Sequence, residues 1–120
     1  MKPYHHARIS AKKYGGKPED YQHLHDFFDQ TKSAVADVRH RSVLHNAFGI
    51  FLLEQLHGPT FVNSEGKTVN TRDIGEDHVM DDLGFIPTLE HWCKNMAIQP
   101  WMGGKRKRQT THRTGEQYID

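Results

Sequence analysis

The sequence has a single cysteine and no long apolar run. Cys93 has no second cysteine to pair with, which excludes an internal disulfide and the Cys-based zinc motifs and favours a reducing compartment. The longest apolar run, "AFGIFLL", is far shorter than the roughly 20 residues that cross a bilayer, and the first ten residues lack the apolar core of a signal peptide. We therefore expect a cytoplasmic protein that does not engage membranes.

An excess of charge of one sign is also missing. The 16 basic and 15 acidic residues give a formal net charge of +1, so the chain as a whole has no attraction for nucleic acid or anionic surfaces. The local exception is a basic run in segment 103–120, formed by Lys105, Arg106, Lys107 and Arg108. We predict a flexible tail there, whose cations could neutralise nucleic-acid phosphates without reading sequence. A solvated tail without a partner is the alternative.

Histidine, by contrast, is abundant, with ten among the 120 residues. The histidines are scattered along the chain, so they are not a purification tag. Imidazole is the commonest metal ligand in proteins and the usual proton-transfer group near neutral pH. Histidines that the fold brings together would therefore form a site.

The periodicity of apolar residues predicts one domain over residues 1–102 of the α+β class, mainly α. We expect about five helices packed around one long central helix, together with one β-hairpin. Helices are predicted over 1–14, 18–32, 37–56 and 75–84 and from residue 87 onward, and the hairpin strands at 61–62 and 68–71.

The predicted central helix, 37–56, carries a histidine on its apolar face. At about 100° per residue, His40 falls inside the arc that Leu44 and Phe51 define, while His45 lies at its edge. A histidine in such a position forms a hydrogen bond in the core or coordinates a metal ion. Both interpretations are open from the sequence.

The predicted helix 75–84 carries a histidine next to carboxylates. Asp81 and Asp82 follow His78 by three and four residues, which places imidazole and carboxylate on one helix face, as a two-ligand metal edge requires. A simple side-chain pair along the helix is the alternative. His5 and His6 are adjacent, so at most one of them faces a shared site.

Combining these groups, we predict a mononuclear metal site with His40, His78, Asp82 and either His5 or His6 as ligands. Nitrogen and oxygen donors of this kind suit Zn²⁺, or Mn²⁺ or Fe²⁺ if solvent positions stay open. Hydrogen bonding in the core and solvation of the His5–His6 pair are the structural alternatives.

Nearby arginines suggest an anionic small molecule as the substrate. Arg39, Arg41 and Arg72 could bind a phosphate group, and Asp81 or Glu76 could act as base for a metal-activated water. This set predicts a metal-dependent hydrolase acting on a phosphate-bearing small molecule or nucleotide. Structural ion pairs of Arg39 and Arg41 with carboxylates such as Asp37 or Glu76 are the alternative.

The dipeptide His25-Asp26 invites comparison with metal-dependent phosphohydrolases of the His-Asp type. Its helix is short and aromatic, so we interpret this stretch as core rather than as a ligand pair. Two non-enzymatic functions are also open. They are an accessory module that binds a host protein or nucleic acid, and a structural homo-oligomer whose histidines pack in the interior.

Taken together, the strings "PYHHA", "ADVRHRSVLHNAFGIFLLE", "NSEGKTV" and "IGEDHVMDDLGFIPT" resemble a family of short, uncharacterised proteins from bacteria and their phages. The resemblance spans about Pro3 to Met102 and implies one compact unit with the basic tail outside it. The family carries no activity to transfer. In its pattern a second histidine often follows His45, where this chain has Asn46.

Overall fold

The computed structural model describes residues 1–104, which form six α-helices and one two-stranded hairpin. These elements are α1 (Pro3–Tyr14), α2 (Gln22–Asp29), α3 (Arg41–Leu44), α4 (Ala47–His57), β1 (Thr60–Val62), β2 (Thr68–Asn70), α5 (Thr71–Leu83) and α6 (Leu89–Cys93). The predicted class, α+β and mainly α, is confirmed. The predicted nucleic-acid-binding run 105–108 lies outside the described residues.

The hairpin forms where the sequence predicts it and leads directly into α5. Its strands pair antiparallel, with Phe61 opposite Val69. The side chain of Asn63 closes the turn, because its Oδ1 accepts hydrogen bonds from the backbone N–H groups of Glu65 and Lys67. Val69 is buried in the core, so the hairpin is anchored to the helices and fixes the start of α5.

The predicted single helix 37–56 is wrong. The chain instead forms a 3₁₀ turn at Val38–His40, then α3, then α4. Asn46 breaks the helix with an extended backbone (φ −161°, ψ 173°), and its side chain accepts a hydrogen bond from the N–H of Gly49. Asn46 is thus the N-cap of α4. Because the helix is interrupted at Asn46, the helix face calculated from His40 does not extend into α4. The apolar periodicity nevertheless continues through the break.

Other helix boundaries also shift. The predicted helix 18–32 consists of 3₁₀ turns at Pro18–Asp20 and Gln30–Ser33 on either side of α2. The helix predicted at 75–84 begins earlier, at Thr71, and at 13 residues α5 is the longest helix described. It packs against both α2 and α4, so α5 occupies the central position that the sequence assigned to 37–56.

The core between α1, α2, α4 and α5 combines large apolar side chains with histidines. Tyr21, Leu24, Phe28, Leu53 and Ile74 are completely buried. Five histidines are buried with them, namely His6, His25, His40, His45 and His78. Burying so many polar rings is costly unless hydrogen bonds or a cation compensate for lost hydration.

Among the described residues, no helix has both the length and the apolar character that crossing a bilayer requires.

Candidate metal centre

Three segments far apart in the sequence bring two histidines and two aspartates together. α5 supplies His78 and Asp82, which lie one helical turn apart. α2 ends at Asp29, and His45 lies at the junction of α3 and α4 that the Asn46 cap creates. We refer to Asp29, His45, His78 and Asp82 as the His–Asp cluster.

The donor atoms of the His–Asp cluster are separated by distances that one ion can span. Nε2 of His45 lies 3.0 Å from Oδ2 of Asp82 and 3.7 Å from Oδ1 of Asp29. Nε2 of His78 lies 3.4 Å and 3.9 Å from the same two oxygens. Donors about 2.0–2.1 Å from a tetrahedral ion are about 3.3 Å apart. The observed separations lie on both sides of this value, and one donor atom from each residue lies within 4.8 Å of the other three.

Two members of the cluster, His78 and Asp82, have the protonation states that metal binding requires. Burial lowers the pKa of His78, and the neighbouring His6 and His25 lower it further, so its ring is uncharged at neutral pH. Burial alone would raise the pKa of Asp82, but hydrogen bonds from His45 and His6 outweigh burial and hold it below its usual range. Asp82 is therefore a carboxylate beside a neutral imidazole.

Three polar atoms of the cluster are buried without a hydrogen-bond partner. They are Nε2 of His78, Oδ2 of Asp29 and Nδ1 of His45. The Asp29 and Asp82 side chains are only 9% and 2% exposed, so two carboxylates share a site largely shielded from water. A cation held by the cluster would partner Nε2 of His78 and offset the charge of the carboxylates.

A ring of further polar groups surrounds the cluster. Oδ1 of Asp82 accepts from Nε2 of His6 at 3.1 Å and from the amino group of Met1 at 3.3 Å. Nδ1 of His25 lies 2.9 Å from Nδ1 of His78, and Nε2 of His25 lies 2.8 Å from the hydroxyl of Ser10. Burial, with a smaller contribution from His6, lowers the pKa of His25 to about 3, so this ring is also uncharged.

A second group of three histidines is also close enough to be considered as a ligand set. Donor atoms of His6, His25 and His78 lie within 4.8 Å of one another. The three rings are stacked, however, with interplanar angles of 17° to 25°. Imidazole lone pairs lie in the ring plane, so nearly parallel rings do not direct them at one point. The rings of His45 and His78 are inclined at 60°, which makes the His–Asp cluster the better ligand set.

The structure brings some of the predicted metal ligands to the cluster and leaves others away from it. His78 and Asp82 lie in the cluster, and His6 contacts Asp82. His40 is buried, but its Nδ1 lies 3.2 Å from the hydroxyl of Thr31, and it contributes no donor to the cluster. Its environment is that of a hydrogen-bonded core histidine. His5 is exposed on α1 and takes no part either.

The residues predicted to bind an anion or to act as a general base also differ in whether they lie near the cluster. Arg39 is exposed and pairs with Asp37 at 2.6 Å. Arg72 and Glu76 pair with each other at 2.8 Å on the exposed surface of α5, and neither contacts the cluster. The pairing of Arg39 with Asp37 is the structural alternative that the sequence left open, and Arg72 forms a pair of the same kind.

Two of the predicted residues do lie beside the cluster. Nη2 of Arg41 is 3.9 Å from Oδ1 of Asp82, and the Arg41 side chain is 23% exposed. Oδ2 of Asp81 is 3.9 Å from Nδ1 of His6, with the Asp81 side chain 37% exposed. Both side chains are more exposed than the cluster side chains that they neighbour.

Sequence reasoning missed Asp29, His45 and His25. A signal for two of them was present, because His25 and Asp29 have the same four-residue spacing as His78 and Asp82. The carboxylate of the His-Asp dipeptide, Asp26, is not the one that lies in the cluster. Asp26 is exposed and accepts a hydrogen bond from Gln22, whereas Asp29 belongs to the cluster. His45 was placed at the edge of a continuous helix that the structure interrupts.

The fold and the cluster define a small, mainly helical domain whose interior holds neighbouring histidine and aspartate side chains. The chain belongs to the family described as a domain of unknown function (DUF6915), whose family model matches residues 1–102. The match contains the whole His–Asp cluster and stops before the basic run. No curated protein and no solved structure matched the chain.

Proposed function

We propose that the protein binds one divalent transition metal ion, Zn²⁺, Mn²⁺ or Fe²⁺, through the His–Asp cluster. The observation that carries the proposal is the convergence of four donor atoms within 4.8 Å of one another, from two buried histidines and two partly buried aspartates on three segments separated in sequence. Two imidazoles and two carboxylates are a donor set that suits these ions. The orphaned Nε2 of His78 supports the same conclusion.

The proposed role of the ion is structural. Four protein donors complete a tetrahedral shell, which is typical of structural zinc sites, and the donor side chains are almost fully shielded from solvent. The ion would join the end of α2, the α3–α4 junction and α5. In a domain this small, one such link is a large share of the total stability.

Metal uptake tests this proposal directly. The purified, untagged protein is expected to contain about one equivalent of metal, and chelation is expected to lower its melting temperature. Ligand at about 100 times Kd stabilises a fold by about 2.7 kcal/mol, which is a shift of roughly 10 °C for a domain of this size. Elemental analysis and thermal denaturation with and without chelator measure both effects.

A matched control for metal uptake is Asp26→Ala, which removes an exposed carboxylate from α2. This variant is expected to bind metal as the unaltered protein does. Less than about a tenth of an equivalent of any transition metal, with no thermal shift on adding Zn²⁺, Mn²⁺ or Fe²⁺, would refute the proposal.

Arg41 favours a second candidate function, hydrolysis of a phosphate-bearing small molecule or nucleotide. Its guanidinium is partly exposed at the edge of the cluster, and its buried Nε has no hydrogen-bond partner. A guanidinium in this position could bind a phosphate oxygen, and Asp81 is the neighbouring carboxylate available as a base. This function requires a coordination position for water beyond the protein donors, and an ion with such an open position would make the bound water more acidic.

We expect Arg41→Gln to impair such hydrolysis more than its control. Loss of a charge-assisted hydrogen bond to phosphate costs about 1.5–3 kcal/mol, or about 10- to 100-fold in kcat/KM. Arg39→Gln is the matched control, since Arg39 pairs with Asp37 away from the cluster. The assay is phosphate release from p-nitrophenyl phosphate and nucleotides by the metal-loaded protein. Absence of turnover with all three ions would leave the structural role alone.

A further inference from the structure

We infer that α1 supports the proposed metal centre from outside its ligand shell, through two positioning residues one turn apart. His6 orients Asp82, and Ser10 orients the ring of His78 by acting through His25. This inference rests on the proposed function, and it concerns residues that contribute no donor atom to the His–Asp cluster.

The rings of His25 and His78 are in direct contact. Their Nδ1 atoms lie 2.9 Å apart in the buried interior, which is hydrogen-bonding distance. Only one of the two nitrogens can carry the shared hydrogen, because two hydrogens would collide and two lone pairs would repel. The tautomer of one ring therefore determines the tautomer of the other.

A metal on His78 decides which way this hydrogen bond runs. Coordination through Nε2 uses the lone pair of that nitrogen, so the neutral ring carries its hydrogen on Nδ1. That N–H donates to Nδ1 of His25. His25 then carries its own hydrogen on Nε2 and donates it to the hydroxyl of Ser10, 2.8 Å away. Each group in this chain of hydrogen bonds donates to the next, from His78 to His25 and from His25 to Ser10 on α1.

His6 supports the carboxylate ligand in a parallel way. Its Nε2 donates to Oδ1 of Asp82 at 3.1 Å, which leaves Oδ2 directed at the two ligand imidazoles. His6 and Ser10 are four residues apart, so both side chains face the cluster from the same side of α1. Both are buried, and this arrangement accounts for polar residues on the inner face of the helix.

Zinc affinity of variants tests the inference. Loss of a hydrogen-bond partner of a metal ligand typically lowers affinity by about 10- to 100-fold, and this is the loss we expect for Ser10→Ala and His25→Leu. His25→Asn is expected to retain affinity within a few-fold, because its amide oxygen can accept from Nδ1–H of His78. Competition with a zinc chelator measures the dissociation constants.

Matched controls separate support of the metal from general damage. Ser33→Ala removes an exposed hydroxyl that bonds to the Gln30 carbonyl, and His23→Leu changes a histidine of α2 outside the cluster. Both are expected to bind zinc like the unaltered protein. If Ser10→Ala and His25→Leu also bind zinc equally well, the inference is wrong while the proposed function stands.

The tautomers provide a second test that needs no variant. In zinc-loaded protein, ¹⁵N NMR should show His78 protonated at Nδ1 and His25 protonated at Nε2. Protonation of His25 at Nδ1 in the loaded protein would overturn the inference even though zinc is bound. If the unaltered protein takes up no zinc, the proposed function itself fails, and the two failures are thereby distinguished.

Discussion

Asp82→Ala is expected to abolish metal binding and to destabilise the metal-free protein as well. Oδ2 of Asp82 is the oxygen closest to both ligand imidazoles, at 3.0 Å from His45 and 3.4 Å from His78. Loss of an outer hydrogen-bond partner costs about 10- to 100-fold in affinity, and loss of a ligand should cost more than that. We therefore expect metal affinity to fall by more than about 100-fold.

The effect on the metal-free protein follows from the hydrogen bonds that end on Asp82. Nε2 of His6 and Nε2 of His45 both donate to this buried carboxylate. Alanine leaves each of these donors without an acceptor, at a cost of about 1–3 kcal/mol for each one. Denaturation in the presence of chelator measures this loss apart from metal binding.

Asp81→Ala is the matched control for Asp82→Ala. It removes the neighbouring carboxylate, which is 37% exposed and contacts His6 only at 3.9 Å. This control is expected to bind metal with an affinity close to that of the unaltered protein. Metal binding by Asp82→Ala at undiminished affinity would show that the ion does not lie in the His–Asp cluster.

Gly49→Ala is expected to destabilise the fold by about 3 kcal/mol or more, at the upper end of what overpacking costs. A Cβ at this position would lie 1.8 Å from the carbonyl oxygen of Leu44 and 2.8 Å from its Cα. These are backbone atoms that cannot rotate away. The N–H of Gly49 also donates to the side chain of Asn46, so Gly49 takes part in the capping hydrogen bond at the start of α4.

Gly49→Ala is also expected to weaken the proposed metal binding, because Gly49 packs against the α3–α4 junction that positions His45. Relief of the clash requires α3 and α4 to separate, and His45 lies between them. Gly49→Ala should therefore lose metal affinity together with stability. Gly103→Ala is the control, since a Cβ there meets nothing within 4 Å. Urea denaturation and zinc titration measure the two effects, and a stable Gly49→Ala protein with full affinity would contradict the account of the junction.

The fold class could be predicted from the sequence because it depends on local patterns. Apolar periodicity, the glycines that end helices and the turn residues near Asn63 are all readable along the chain. The break at Asn46 was not predicted, because apolar residues continue at helical spacing on both sides of it. The capping side chain was the available signal, and it was outweighed by periodicity.

The candidate site could be predicted only where it is local. His78 and Asp82 share a helix face at a spacing that the sequence shows directly. Asp29 and His45 reach them only through the packing of α2 and the α3–α4 junction on α5, which periodicity does not determine. His40 was predicted as a ligand from its position on the apolar face of a helix, yet the packing of its segment places it against Thr31.

Anomalous diffraction from crystals grown with zinc would locate the ion directly. We expect one peak at about 2.0–2.2 Å from Nε2 of His45, Nε2 of His78 and one carboxylate oxygen each of Asp29 and Asp82. A well-ordered crystal with no peak among these four residues, or with zinc bound only at exposed histidines such as His5, would contradict the proposed metal site.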